Sequence, residues 1–431
     1  MLELLTKANH NGGTTSDKEE SVTRSRDTSH KTAIIGISNE NTMQLRPHQN
    51  EALAKMRLYR KGQVIVPTGG GKTMCMIEDA MNEFSKSYGQ TIVVVAPRIL
   101  LANQLSSEFL EFITDVEVIQ VHSGETHHKS TTKTDELEYW VNNSTENLLI
   151  FTTYHSLHRI SDSLDIEVDT IYFDEAHNSV QKNFYPATEH FSRNADRCYF
   201  FTATPKHSRT TEKAGMNHTK TYGNVICQIP APRLVKQGYI LPPKVEVYRS
   251  RILRKDELVA DRDNEQMVEA IDNLDKDKVL ICAKSTRQIV ALVSQTDFVK
   301  QLAIRGYSYM YITSKTGAVI DGEKVDRESF FDTLNEWGRT DKKFVVLHHS
   351  ILSEGINVNG LEAVLFMRSM DYIGISQTIG RVIRKGDADK VFGLVCVPVY
   401  SNVGITTARK VEAVVDTIFN KGEAATSVVN S

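Results

Sequence analysis

The chain has 431 residues, 40 % hydrophobic and 24 % charged, which is enough apolar material for two or three ordinary domains with sizeable cores. Its 51 basic and 54 acidic residues give a net charge of -3, so it is not a protein that holds nucleic acid by bulk charge alone, although a local basic groove is compatible with that balance. No apolar run reaches the roughly 18 residues of a membrane span, and the acidic start (Glu3, Asp17, Glu19, Glu20) does not read as a secretory or transit peptide. The expectation is a soluble, intracellular protein with no membrane partner.

Residues 1–42 are rich in Ser, Thr, Asn, Asp and Lys and are expected to form a disordered tail. From 43 to 228 short apolar runs alternate with helical periods. Strands are expected at Val64–Val66, Ile92–Ala96, Leu148–Phe151, Thr170–Phe173 and Cys198–Phe201, apolar enough for a parallel sheet covered on both faces. The prolines of Ile229-Pro230-Ala231-Pro232 and Leu241-Pro242-Pro243 bracket a short helical stretch and mark a linker over 229–244. The alternation resumes over 245–421. Strands are expected at Val279–Ala283, Tyr309–Thr313, Phe344–Leu347, Ala363–Met367 and Val391–Val397, and helices at Thr286–Ile304, Asp326–Trp337, Ile375–Arg384 and Thr406–Phe419. Residues 422–431 read as a frayed tail. The fold class is α/β: two tandem domains, each a mostly parallel sheet flanked by helices.

The strongest local signal is Val64-Ile65-Val66 running into Pro67-Thr68-Gly69-Gly70-Gly71-Lys72-Thr73 and then a helix. Glycines let successive backbone N–H groups curl toward one anion, and the helix N-terminus adds partial positive charge. Lys72 is placed for β and γ phosphates and the Thr73 hydroxyl for Mg²⁺. The first position is Pro67 where the general phosphate-loop pattern has glycine. About 100 residues on, the apolar run Thr170-Ile171-Tyr172-Phe173 ends in Asp174-Glu175. Ligands bind at the carboxyl ends of parallel strands. Asp174 is suited to Mg²⁺ and Glu175 to the attacking water of phosphoryl hydrolysis.

The five cysteines (Cys75, Cys198, Cys227, Cys282, Cys396) form no C-x-x-C pair, which fits a reducing compartment and small buried apolar roles. The histidines His127-His128 and His155 with His158 have no cysteine or carboxylate cluster beside them, so no metal site is expected there.

Asp174-Glu175-Ala176-His177 spells DEAH, and with Pro67 to Thr73 it resembles the superfamily two helicases over roughly residues 44 to 400. The resemblance implies two RecA-like domains with ATP between them. Leu45-Arg46-Pro47-His48-Gln49 looks like the glutamine motif beside adenine, which assigns Arg46 and Gln49 to the nucleotide. Ala96-Pro97-Arg98 and Thr152-Thr153-Tyr154 look like nucleic-acid motifs, giving Arg98 and Thr153. Thr202-Ala203-Thr204-Pro205 looks like the motif coupling hydrolysis to movement, giving Thr202 and Thr204, with His177 and Gln377 as further coupling residues.

In the second half, Ala283-Lys284-Ser285 and Ser353-Glu354-Gly355-Ile356-Asn357 resemble the fourth and fifth motifs. They imply nucleic-acid contacts at Ser285 and Ser353 and nucleotide contacts at Gly355 and Asn357. Gln377-Thr378-Ile379-Gly380-Arg381-Val382-Ile383-Arg384 matches the sixth motif. Its two arginines, three apart on a helix, share a face and suit charge stabilisation at the γ-phosphate.

The expected activity is therefore Mg-ATP hydrolysis driving movement on, or unwinding of, nucleic acid. The motif details resemble DNA-acting members more than RNA helicases: restriction-enzyme motor subunits, repair helicases and phage branch-migration helicases. An RNA helicase, or a motor subunit with protein partners in a larger DNA-processing assembly, are the alternatives.

Overall fold

The computed structural model describes residues 43–163, 166–250, 253–313, 315–349, 360–367, 372–384, 393–400 and 405–429. In the first lobe the strands are β1 (Lys61–Ile65), β2 (Thr91–Ala96), β3 (Val116–Val121), β4 (Lys129–Ser130), β5 (Asn147–Thr153), β6 (Thr170–Phe173), β7 (Arg197–Thr202), β8 (Lys206–His207) and β9 (Val225–Gln228). All but β8 form one parallel sheet in the order β4-β3-β5-β2-β6-β7-β1-β9. β2 and β5 are buried along their whole length, because helices cover both faces of a parallel sheet.

The helix Lys72–Lys86 is fixed to this sheet by a buried charge network. Arg197 on β7 donates to both Asp79 oxygens at 2.8 Å, and the Tyr172 hydroxyl on β6 donates to Asp79 at 2.7 Å. Breaking such a buried pair by removing one partner typically costs about 3–5 kcal/mol. The network therefore pins the helix whose N-terminus carries the glycine loop.

The second lobe has β10 (Pro243–Ser250), β11 (Lys278–Cys282), β12 (Ser308–Thr313), β13 (Gly317–Ile320), β14 (Glu323–Val325), β15 (Phe344–His348), β16 (Ala363–Phe366) and β17 (Gly393–Tyr400). Their order is β10-β17-β16-β11-β15-β12-β13-β14, parallel except for the antiparallel β12-β13-β14 edge. The fold class is the expected one. One apolar cluster joins the lobes, running from Val64 and Phe201 through Leu234 and Ile240 of the connecting segment to Ile379, Val382 and Ile383. Among the described residues no helix is long and apolar enough to cross a membrane.

Several elements differ from expectation. The helix expected over 286–304 is two, Thr286–Gln295 and Phe298–Ile304, because the Thr296 hydroxyl accepts the Phe298 N–H at 3.2 Å and starts a new turn. β3, β9, β10 and the β13–β14 hairpin were not expected. β3 (Val-Glu-Val-Ile-Gln-Val) breaks the apolar run with polar residues, and β10 begins at Pro243, inside the expected linker. Residues 1–42, expected to be a disordered tail, lie outside the described residues.

The end of the chain departs most from its expectation as a frayed tail. Ser427–Val428 (β18) pairs in parallel with β8 of the first lobe, Ser427 N–H donating to Pro205 O at 3.2 Å and Val429 N–H to His207 O at 2.8 Å. Ala425 is buried in the joint apolar cluster. The segment after the last helix of the second lobe thus crosses back to the residues that follow Thr204. Ser427→Pro removes one of these donors, at about 1 kcal/mol. It is expected to lower hydrogen-exchange protection of the Val429 amide about fivefold. Unchanged protection there would show that the pairing does not hold the segment.

Candidate nucleotide cleft and second groove

The glycine loop leaves β1 and enters the helix at Gly71, whose φ of +78° is left-handed. The backbone angle favours glycine, and a Cβ at Gly71 would lie 2.4 Å from the Gln49 amide nitrogen and displace that side chain. The loop is held from behind by the segment before the Pro47–Leu58 helix and by that helix's first turn. Arg46 Nη1 donates to Gly69 O at 3.2 Å, His48 Nε2 bonds Gly70 O at 2.6 Å, and Gln49 Nε2 donates to Gly71 O at 3.0 Å. Burial lowers the His48 pKa, in keeping with a neutral imidazole.

In front of the loop is a cleft of about 320 Å³ lined by Lys72, Thr73, Asp174 and Glu175 of the first lobe and by Gln377, Arg381 and Arg384 of the second. Gly380 lets the lobes meet, since a Cβ there would lie 2.5 Å from Thr68 Cβ. Arg384 packs on the glycine loop: a Cβ at Gly69 would lie 3.6 Å from its Cγ. Burial lowers the Arg381 pKa to about 9, with the like charge of Arg384 adding to the shift. Two guanidiniums gathered in one buried cleft make a site for concentrated negative charge.

Glu175 has a left-handed φ of +45° at the turn after β6, an uncommon backbone conformation for a non-glycine residue. Lys72 Nζ is 3.4 Å from its Oε1 and His177 Nδ1 3.5 Å from its Oε2. Burial would raise its pKa, but Lys72, then His177 and Arg381, outweigh burial and hold the carboxyl below its usual range. Asp174 goes the other way. Burial and the adjacent Glu175 push it up to about 7, a direction that a divalent cation beside it would reverse. The Thr73 hydroxyl and the Asp174 carboxylate, both in the cleft, are hard oxygen donors that suit Mg²⁺.

His177 reaches all the proposed coupling residues. Its Nδ1 lies 3.0 Å from Thr202 Oγ1 and 3.4 Å from Thr204 Oγ1, and its Nε2 lies 3.4 Å from Gln377 Nε2 of the second lobe. With the Gln377 amide donating to Nε2, Nδ1 carries the hydrogen and donates toward Thr202.

A second cleft, of about 580 Å³, lies between the first lobe and the start of the helix Arg327–Arg339 in the second. Its lining includes Arg98, Thr153, Ser123, Asn178, Gln181 and Arg327, and among the described residues contains no carboxylate. Burial and then the charge of Arg98 lower the Arg327 pKa. Like charges facing a shared groove repel unless an anion lies between them. Thr153 and its neighbour Tyr154 connect the two clefts: Thr153 lines the groove, while the Tyr154 hydroxyl donates to Asp174 O at 2.7 Å.

Ser285 is placed differently. Its hydroxyl accepts the Gln288 N–H at 3.2 Å, capping a helix, and it is not among the residues lining the groove. Ser353, Gly355 and Asn357 lie outside the described residues. Residues 42–207 match the family model of the type III restriction enzyme res subunit, and residues 263–386 match the helicase conserved C-terminal domain. The chain belongs to the superfamily two helicase family.

Among solved structures, this chain resembles the ATP-dependent Type ISP restriction-modification enzyme LlaBIII bound to DNA. The TM-score is 0.68 at 17 % identity, over 90 % of this chain and 31 % of that one. A nuclease-deletion mutant of the Type ISP enzyme LlaGI, in complex with a DNA substrate mimic, gives 0.60 at 18 % identity, over 89 % and 30 %. The likeness is one of fold, and the chain spans about a third of the length of each. No curated protein matches it.

The sequence reading assigned no role to Tyr154, Tyr239, Glu108 or Arg327, although Tyr154 closes the Thr152-Thr153-Tyr154 run and Tyr239 lies in the segment between the lobes. Glu108 lines the nucleotide cleft and accepts a hydrogen bond from Gln104 at 2.8 Å, while burial raises its pKa.

Proposed function

We propose that the chain is a DNA-dependent ATPase that hydrolyses Mg-ATP between its lobes and converts their closure into movement along DNA. One observation carries this reading: Lys72 and Glu175 from one lobe and Arg381 and Arg384 from the other line a single cleft beside the glycine loop. Neither lobe alone offers both a phosphate cradle and the cations that stabilise a hydrolytic transition state.

In this mechanism the loop N–H groups and Lys72 bind the β and γ phosphates. Thr73 and Asp174 would hold Mg²⁺, which would supply charge neutralisation at the phosphate oxygens. Glu175, kept ionised by its cationic neighbours, takes a proton from the attacking water as the γ-phosphoryl group leaves ADP. Arg381 and Arg384 donate to the oxygens on which charge concentrates. Loss of the γ-phosphate removes what drew the arginines toward the loop, so nucleotide state biases the angle between the lobes. His177, touching Glu175, Thr202, Thr204 and Gln377, is where that change is felt.

Nucleic acid would occupy the second groove, its phosphates between Arg98 and Arg327 and beside Thr153. DNA is preferred because the structural relatives are described with DNA or a DNA mimic. Their much greater length favours one refinement, a motor module that works within a larger DNA-processing assembly.

Duplex or single-stranded DNA is expected to raise ATP turnover. In Arg98→Ala with Arg327→Ala, the slope of log affinity for DNA against log salt is expected to fall by about one per arginine. Stimulation by RNA alone would move the reading to an RNA helicase. An unaltered salt slope would remove the groove from the binding path.

A further inference from the structure

Tyr239 belongs to none of the motifs above, yet it lines the nucleotide cleft with Arg46, Lys72 and Arg384. The Arg46 guanidinium carbon lies 4.9 Å from the centre of its ring, and the His48 ring packs tilted against it with centroids 5.5 Å apart. Arg46 also donates from Nη1 to Gly69 O at 3.2 Å, and its backbone N–H donates to Gln49 Oε1 at 2.7 Å. A guanidinium is flat on both faces. Here one face rests on an aromatic ring and one edge is tied to the glycine loop, which leaves the other face as a planar, cationic stacking surface in the cleft.

Tyr239 is itself held firmly. Gly238 turns the chain with a φ of +72°, and the Tyr239 N–H donates to Leu234 O at 2.9 Å, ending the short helix Ala231–Lys236. The next residue, Ile240, forms a β-bridge with Arg384, and the Leu241 N–H donates to Ile383 O at 2.7 Å. One residue therefore separates the ring behind Arg46 from the backbone of a proposed catalytic arginine.

We propose that Tyr239 is a positioning residue that sets Arg46 flat as the seat for the nucleobase and carries occupancy of that seat, through Ile240, to Arg384. The proposal rests on the reading of this cleft as an ATP site. It makes the connecting segment part of the nucleotide site. A triphosphate with a purine engages the seat, while one without a base fills only the phosphate end. The Tyr239 hydroxyl plays no part in it; the ring face does.

The test compares binding of ATP with binding of inorganic tripolyphosphate, in the presence of Mg²⁺, to the full chain. Tyr239→Leu is expected to weaken ATP about tenfold, the scale of a lost stacking and cation–π support. Tripolyphosphate should stay within about twofold, and Tyr239→Phe should keep the preference for ATP. Arg46→Lys, which keeps the charge but loses the planar face, should show the same ATP-selective loss and serves if Tyr239→Leu does not fold. Turnover at saturating ATP is expected to fall in Tyr239→Leu, because Arg384 is no longer set by the base.

Equal weakening of both ligands would reduce Tyr239 to loop packing and overturn the proposal, as would an unchanged ATP preference. Failure of the unaltered chain to bind either ligand would instead overturn the ATP reading itself.

Discussion

Glu175→Gln is expected to bind ATP with near-normal affinity and to hydrolyse it about 10²–10⁴-fold more slowly, the usual range for removal of a positioned general base. Several groups bear on that residue at once. Lys72 and His177 approach its two oxygens from opposite sides, and with Arg381 they hold it ionised despite burial. The amide keeps the volume and one hydrogen-bond acceptor but cannot take a proton. Because Lys72 loses its carboxylate partner, its charge is more available to phosphate, so ATP binding should not weaken. Single-turnover hydrolysis beside equilibrium ATP binding separates the two effects. Normal turnover would remove Glu175 from its role as base.

Arg384→Ala is expected to lower turnover about 10³–10⁵-fold, on the scale reported for arginine fingers, while weakening ATP binding much less. Its side chain packs on Gly69 and its backbone pairs with Ile240, so the guanidinium is delivered from the second lobe to the edge of the loop. An interaction made only as charge builds on the γ-phosphate lowers kcat and kcat/KM together, whereas a ground-state contact raises KM. Equal loss of binding and turnover would mean that Arg384 holds ATP without acting in the chemical step. Removal of Arg381 is a less direct probe, because that side chain is buried in the joint between the lobes and its loss also disturbs packing.

Much of the first lobe was legible in sequence because its central strands are covered on both faces. Ile92–Ala96 and Leu148–Phe151 must be apolar at every position, and no other short element requires that. Strands at the margins were less legible. β3 keeps Glu117 and Gln120 among its valines, β10 starts on a proline, and the β13–β14 hairpin at the sheet edge is made of strands only four and three residues long, with Asp321-Gly322 at its turn. The helix break at Thr296-Asp297 carried a capping signal that helical periodicity alone overrode.

The site divides in the same way. Gly69, Gly71, Lys72, Asp174 and Glu175 could be named from sequence because anion cradles and strand-end carboxylates are built from consecutive residues, each set by local backbone geometry. Sequence by itself thus determined two parallel α/β lobes, a glycine loop and an acidic strand end, but its expectation of Arg381 and Arg384 on one helix face fails: the helix Tyr372–Val382 ends before Arg384, which is held in a bridge to Ile240. Tertiary structure alone decided that Arg384 rests on the glycine loop, that Arg98 faces Arg327, that Tyr239 backs Arg46, and that Ser427–Val428 returns to pair beside Thr204. Each of these joins residues far apart along the chain. Such contacts are fixed by how the lobes close on one another, and no local periodicity or spacing encodes that closure.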